Sequence, residues 1–231
     1  RAYCDRARLL GDPDFVPTPA DLTGKEYART LARGIDPRTA TRSELLAPEL
    51  DIRDGGSDTT HFSVVDADGM AVANTYTIEN SYGSRVVVRG AGYILNNEMT
   101  DFNTAPGVTD RTGRVGTDAN LIAPGKRMLS SQCPTILVKG GKPVLVTGSP
   151  GGRTIPNTVV GIVLNVAEYG MDVQAAVDAP RMHHQWFPDR LVLEQATPGL
   201  ASLKAKLTAM GHSVTTTKGQ GDGHSIAVDP A

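Results

Sequence analysis

Apolar and polar positions alternate with period two at several places along the chain. Thr59-Thr-His-Phe-Ser-Val-Val-Asp66 is rich in β-branched residues and reads as a strand. Asp66-Ala-Asp-Gly69 has turn chemistry, and Met70 to Thr77 returns as a second strand, giving a hairpin. Thr135-Ile-Leu-Val-Lys139, Gly140-Gly141 and Pro143-Val-Leu-Val-Thr147 predict a second hairpin. Strands are also expected at Leu191 to Glu194, Ser213 to Thr217 and His224 to Val228. Helical spacing marks Gly24 to Arg33, a largely buried helix over Asn157 to Tyr169 ending at Gly170, a short helix over Asp172 to Val177, and an amphipathic one over Leu200 to Met210 before Gly211. Thr41-Arg-Ser-Glu44 has the capping-box pattern of another short helix. Strands in hairpins with helices between them favour α+β layers over a doubly wound parallel sheet.

Residues 1–58 differ in texture from the rest. They hold Pro13, Pro17, Pro19, Pro37 and Pro48, many charges, and the polar, Gly-rich run Asp51-Ile-Arg-Asp-Gly-Gly-Ser-Asp58, which reads as an exposed loop. The chain opens on Arg1 rather than Met and stops just after an apolar alternation, so it reads as part of a larger protein. No internal repeat stands out.

Composition narrows the function classes. The 231 residues are 39% hydrophobic, enough for a sizeable core. A net charge of −2 gives no electrostatic reason to expect nucleic acid or an anionic membrane as partner. No apolar run is long enough for a membrane span. Cys4 and Cys133 make neither a disulfide framework nor a zinc motif. His183-His184, with His61, His212 and His224, invites a metal reading, but adjacent histidines on a regular element point apart and no HExxH pattern accompanies them. Hydrogen bonding within the core or at a subunit contact is the better expectation for His183 and His184, and no metal or other cofactor is expected.

The junction Gly55-Gly-Ser-Asp-Thr-Thr-His61 carries the most chemistry. A threonine hydroxyl is a weak nucleophile until a base takes its proton. The threonine's own α-amine can be that base if the backbone before it is cut. Such an amine titrates at about 7.7–8.0, close to working pH. On its own, Thr-Thr at a strand start is usually just β-propensity.

Longer motifs sharpen this reading. Thr59 to Asp66, Asn96-Asn-Glu-Met-Thr-Asp-Phe102, Lys126-Arg-Met-Leu-Ser-Ser131, Pro134-Thr135 and Thr147-Gly-Ser-Pro-Gly-Gly152 stand in an order and spacing that resemble the gamma-glutamyltranspeptidases. Gly11-Asp-Pro-Asp-Phe15 and Ala179-Pro-Arg-Met-His-His-Gln-Trp186 extend the resemblance over nearly the whole chain. It implies an αββα sandwich of the N-terminal-nucleophile hydrolase type. It implies a precursor that cuts itself at Asp58–Thr59, with residues 1–58 resembling the end of the large subunit and 59–231 most of the small, catalytic one. The partner would then be the large-subunit segment of the same precursor, and the substrate a γ-glutamyl compound such as glutathione. A periplasmic or secreted location follows from the resemblance alone.

Residue by residue, the resemblance makes Thr59 the self-cleaving residue and nucleophile, and Thr77 its hydrogen-bonding partner. A hairpin can set the two opposite each other. Glu98 and Asp101 match residues that hold the substrate's α-ammonium, Ser130 and Ser131 a pair that accepts its α-carboxylate, and Gly151 and Gly152 the oxyanion hole. Three positions depart from the family pattern. Glu79 stands where an asparagine usually contacts the ammonium, Thr112 where a lid loop usually carries an aromatic, and Asp58 where a longer acidic or amide side chain usually precedes the cut. The α-carboxylate arginine of the family is expected in a large-subunit segment outside this chain. Two rivals remain open: a cephalosporin (glutaryl) acylase-like amidase of the same superfamily, and an unprocessed, non-catalytic homologue.

Overall fold

The computed structural model describes residues 1–47, 59–103, 105–109 and 115–229. The polar loop over 51–58, including Asp58, and Thr112 lie outside them.

Helices α1 (Ala2–Leu9) and α2 (Lys25–Arg33) form the first part of the chain. The first hairpin follows as β1 (Thr60–Val65) and β2 (Ala71–Tyr76), paired from Thr60↔Tyr76 to Val65↔Ala71. Its turn is built as expected: the Asp66 carboxylate accepts from the backbone N–H groups of Asp68 and Met70. The second hairpin is β3 (Thr135–Lys139) and β4 (Lys142–Thr147), with a bulge at Leu137/Val138. Then come α3 (Ile155–Ala167), α4 (Val173–Asp178), β5 (Met182–His183), β6 (Leu191–Glu194), α5 (Leu200–Ala209), β7 (Val214–Thr217) and β8 (Ile226–Ala227).

Strand β4 lies between β3 and β8, and this central place buries Leu145, Val146 and Thr147. The β1–β2 hairpin packs against this sheet. The contact is closest where the His61 ring lies on Gly148: a Cβ there would sit 2.0 Å from the ring, so the position has room only for glycine. His61 is 4% exposed and hydrogen-bonds Thr75 Oγ1 through Nδ1 at 2.7 Å. Burial lowers its pKa, and nearby His224 adds to the effect.

The α+β reading holds, with differences of detail. The third sheet is mixed, since β6 and β7 run parallel with α5 between them, so not every strand comes from a hairpin. Helix α3 starts at Ile155 and buries one face through Ile155, Thr158, Val159 and Ile162, while Val160 and Leu164 stay exposed. It is therefore half-buried rather than largely buried. The capping box at Thr41–Glu44 does not form. A short 3-10 turn runs over Ser43–Leu46 without a side-chain cap: the Glu44 carboxylate, which would reach back to the cap residue, is instead paired with Arg42 at 3.2 Å. Helix α1 has no counterpart in the sequence reading.

Segment 1–47 is stitched to the rest by polar and apolar contacts. Cys4, Ala7 and Ala47 pack with Trp186 and Phe187 in one small core. The Trp186 indole N–H donates to the Ser43 carbonyl at 3.0 Å, and the Ser43 N–H to the Asp189 carboxylate at 2.8 Å. Asp12 takes a two-pronged ion pair from Arg127, at 2.6 Å and 3.1 Å. Arg127 holds the Asp12 carboxyl far below the usual carboxylate range. No helix of the described residues is long and apolar enough to cross a membrane.

Candidate active site

Antiparallel pairing sets the first feature of the site. Extending the Thr60↔Tyr76 register by one pair brings Thr59 opposite Thr77. Side chains alternate along a strand, so these two share the inward face with the buried His61 and Thr75. Both threonines line a cavity of about 260 Å³. The close packing of His61 on Gly148 also seats the end of β4 beside them, and Gly152, just beyond it, lines the same cavity.

Gly151 and Gly152 have φ values of 130° and 54°, in the region that favours glycine. The Thr154 hydroxyl donates to the Gly151 carbonyl at 2.8 Å and holds the turn, so a Cβ on Gly151 would meet that oxygen at 2.4 Å. Neither glycine N–H donates to another described residue. Two backbone donors at this turn are thus without a partner among the described residues.

One wall is acidic. Glu79, 6% exposed, leaves β2 in a left-handed conformation (φ 72°), and its N–H donates to Thr77 Oγ1 at 2.8 Å. Asn97 ties this exit to the Glu98–Asp101 3-10 turn. Its side chain accepts from Asn80 N–H at 3.1 Å, and its own N–H donates to the Ile78 carbonyl at 3.2 Å. Carboxylate oxygens of Glu79, Glu98 and Asp101 thereby lie within 4.8 Å of one another. Among the described residues, no other group of His, Cys, Asp and Glu comes this close in threes. Burial first, and Glu79 second, push the Asp101 pKa up to about 6, while Arg6 and Arg153 pull it down. Burial, Asp101 and Glu79 raise that of Glu98, whose Oε1 is buried without a partner. Three oxygen ligands this close suit one small hard cation or one ammonium group.

The opposite wall is made of donors. Ser130 and Ser131 line the cavity together with Arg6 and Arg153. Asn120, 4% exposed, joins the two walls: its Nδ2 donates to the Asp101 carbonyl at 2.7 Å and its Oδ1 accepts from Leu129 N–H at 3.0 Å.

The structure therefore brings Thr59, Thr77, Glu79, Asp101, Ser130, Ser131 and Gly152 around one cavity. Glu98 joins through the carboxylate cluster, and Gly151 through the turn it shares with Gly152. Arg6, Arg153 and Asn120 were missed. A lone Arg inside a charged helix carries no signal of its own, and Asn120 sits between motifs. Among the described residues no histidine belongs to a close group of three His, Cys, Asp or Glu: His183 bonds Gln185 Oε1 at 2.8 Å, and His184 the Asp189 carboxylate at 3.2 Å.

A family model described as Gamma-glutamyltranspeptidase matches residues 1–231. The chain belongs to the gamma-glutamyltranspeptidase family. A glutathione hydrolase proenzyme of Escherichia coli K12 is 47% identical over 231 residues, covering 99% of this chain and 39% of the relative. The chain thus spans about two fifths of that relative's length. The crystal structure of an acivicin-inhibited gamma-glutamyltranspeptidase superposes with a TM-score of 0.70 at 48% identity, over 75% of this chain and 92% of the other. A cephalosporin acylase from Bacillus halodurans, 23% identical, reaches a TM-score of 0.77 over 99% of this chain and 39% of its own, a likeness of fold alone. The fold is that of the N-terminal-nucleophile hydrolases in this family, of the α+β class.

Proposed function

We propose that this chain carries the catalytic part of a γ-glutamyl transferase and glutathione hydrolase that matures by cutting its own backbone at Asp58–Thr59. One observation carries the reading: a threonine pair, a carboxylate cluster, a serine pair and two free backbone donors meet at one cavity. Those are the parts needed to bind an α-amino acid by its two charges and attack its side-chain amide.

In maturation the Thr59 hydroxyl attacks the Asp58 carbonyl, the acyl group moves from nitrogen to oxygen, and water hydrolyses the ester. The freed α-amine then serves as base. Thr59 Oγ attacks the γ-carbonyl carbon of the donor while the amine takes its proton. Gly151 and Gly152 N–H groups hold the oxyanion, a contact whose loss costs on the order of 3 kcal/mol in such sites. Collapse expels the amine product, which takes the proton, and leaves a γ-glutamyl ester on Thr59. Water or an acceptor amine resolves it. Thr77 accepts from Glu79 N–H, so its own proton points elsewhere, and Thr59 across the hairpin is the natural acceptor. Glu79, Glu98 and Asp101 hold the α-ammonium, and Ser130 and Ser131 the α-carboxylate.

Division into 1–58 and 59–231 belongs to this proposal. It is supported by the solved small chain that matches 75% of the sequence, the share that residues 59–231 make up. The piece before the cut stays docked through Trp186, Arg127 and Ser131. The remaining large-subunit segment is the partner, and a periplasmic or secreted location goes with the family reading.

The test is mass spectrometry and turnover of the full-length protein. Wild type is cut before Thr59 and releases p-nitroaniline from γ-glutamyl-p-nitroanilide faster than from glutaryl-p-nitroanilide. Thr59→Ala stays intact and inactive. Cleavage of the Thr59→Ala protein at the same bond removes the assignment. Preference for the glutaryl substrate transfers the site to an acylase.

A further inference from the structure

Two serine hydroxyls on one wall of the cavity are already committed on their oxygen side. Ser130 Oγ accepts from the Gln132 N–H at 3.1 Å. Ser131 Oγ accepts from Arg6 Nη2 at 3.0 Å, and the same nitrogen donates to the Ser130 carbonyl at 3.1 Å. A hydroxyl whose lone pair faces an N–H directs its own proton elsewhere. Charge on the donor strengthens this, because a guanidinium pulls electron density from the oxygen it binds. Here the open direction for both protons is the cavity that Ser130, Ser131 and Arg6 all line. Arg6 forms no ion pair with a carboxylate among the described residues. Its positive charge acts on the serine loop by direct hydrogen bonds and on Asp101 only through space.

We propose that Arg6 is a positioning residue for substrate recognition: it fixes Ser131 as a hydroxyl donor toward the α-carboxylate of the γ-glutamyl donor. The inference rests on the function proposed above and extends it. It also means that recognition crosses the cleavage bond. Arg6 belongs to the segment before Asp58–Thr59 and acts on a serine after it. Cutting the backbone leaves this contact in place, since α1 is held by its own core with Trp186 and Phe187.

Two truncated substrates separate this role from a general structural one. Removing the α-carboxylate of a γ-glutamyl group gives 4-aminobutyryl, and removing the α-amine gives glutaryl. In the processed full-length enzyme, Arg6→Met should lower kcat/KM for γ-glutamyl- and glutaryl-p-nitroanilide about tenfold or more, mainly through KM, since a charge-assisted contact is lost. Hydrolysis of 4-aminobutyryl-p-nitroanilide should change less than about twofold. Arg6→Lys keeps the charge but not the fork, and should fall between. If Arg6→Met does not fold, the same substrate ratio is read on Arg6→Lys. Equal loss on all three substrates overturns the role of Arg6 while the proposed function stands. Failure of wild type to hydrolyse the γ-glutamyl anilide overturns the function itself and, with it, this inference.

Discussion

The two walls of the cavity solve opposite electrostatic problems. On one side Glu79, Glu98 and Asp101 crowd carboxylate oxygens within 4.8 Å, and burial first, then repulsion from Glu79, raises the Asp101 pKa to about 6. On the other, Arg6 and the Gln132 N–H feed the oxygens of two serines, so charge is spread through hydroxyl donors. The acidic wall is incomplete without a cation. The donor wall is pre-organised and needs only an anion to arrive. A ligand with an ammonium and a carboxylate on adjacent atoms relieves the first and completes the second. The acidic wall is the pH-sensitive one, because the Asp101 pKa there is raised to about 6.

The strongest way to break the contrast is to take a charge from the acidic wall at Asp101, the member whose pKa both Arg6 and Arg153 lower. Asp101→Asn should lower kcat/KM for γ-glutamyl-p-nitroanilide by about 10²–10³-fold, since removing one partner of a buried charge pair costs about 2–5 kcal/mol. Glutaryl-p-nitroanilide, which has no ammonium, should lose little or gain. Equal losses on both substrates would place Asp101 in the catalytic step rather than in recognition.

Cutting the tie between the walls comes next. Asn120→Ala orphans the Asp101 carbonyl and the Leu129 N–H, both now satisfied by one buried amide. The expected cost is about 2–3 kcal/mol of stability, read from the urea midpoint, with KM raised for γ-glutamyl and truncated substrates alike. A stable protein with unchanged KM would mean that each wall holds itself.

The two walls were unequally legible in the sequence. Glu98 and Asp101 lie three apart in one short motif, Ser130 and Ser131 are adjacent, and a hairpin's register makes Thr59 and Thr77 partners by counting alone. Local spacing fixes such relations. Arg6 stands 125 positions from Ser131, and Asp12 115 from Arg127, so only the folded chain joins them. The same limit explains the failed capping box. Thr41 and Glu44 have the right types and spacing, but the Thr41 hydroxyl faces the Arg1 guanidinium 40 positions away and Glu44 pairs with Arg42. Helix α1 was invisible because its buried face is only Cys4 and Ala7, too small for periodicity to register among so many charges. Parallel pairing of β6 with β7 likewise depends on how α5 folds back, which strand patterning does not encode.

Glu79→Asn gives the smallest change in rate and the sharpest test of what crowding costs. Glu79 sits at φ 72°, a conformation that asparagine adopts far more readily than glutamate. Relief of backbone strain should add about 1 kcal/mol of stability at every pH, raising Tm by about 2–4 °C. An electrostatic gain adds to it only where Asp101 is ionised. In the folded protein the Asp101 pKa is raised to about 6, against an ordinary value of 3.8, so the folded state holds its proton longer than the unfolded one. Stability from this group is therefore lost as pH rises from 3.8 through about 6. Removing the Glu79 charge lowers that pKa and returns part of the loss above pH 6, but none well below pH 4. Recognition moves the other way. With two carboxylates left for the ammonium, KM should rise only about three- to tenfold. The acid limb of kcat/KM, expected near 6 when Asp101 must be ionised, should shift to lower pH. A limb that stays in place while Tm rises would assign it to a group outside the acidic wall, and would leave strain as the whole effect of Glu79.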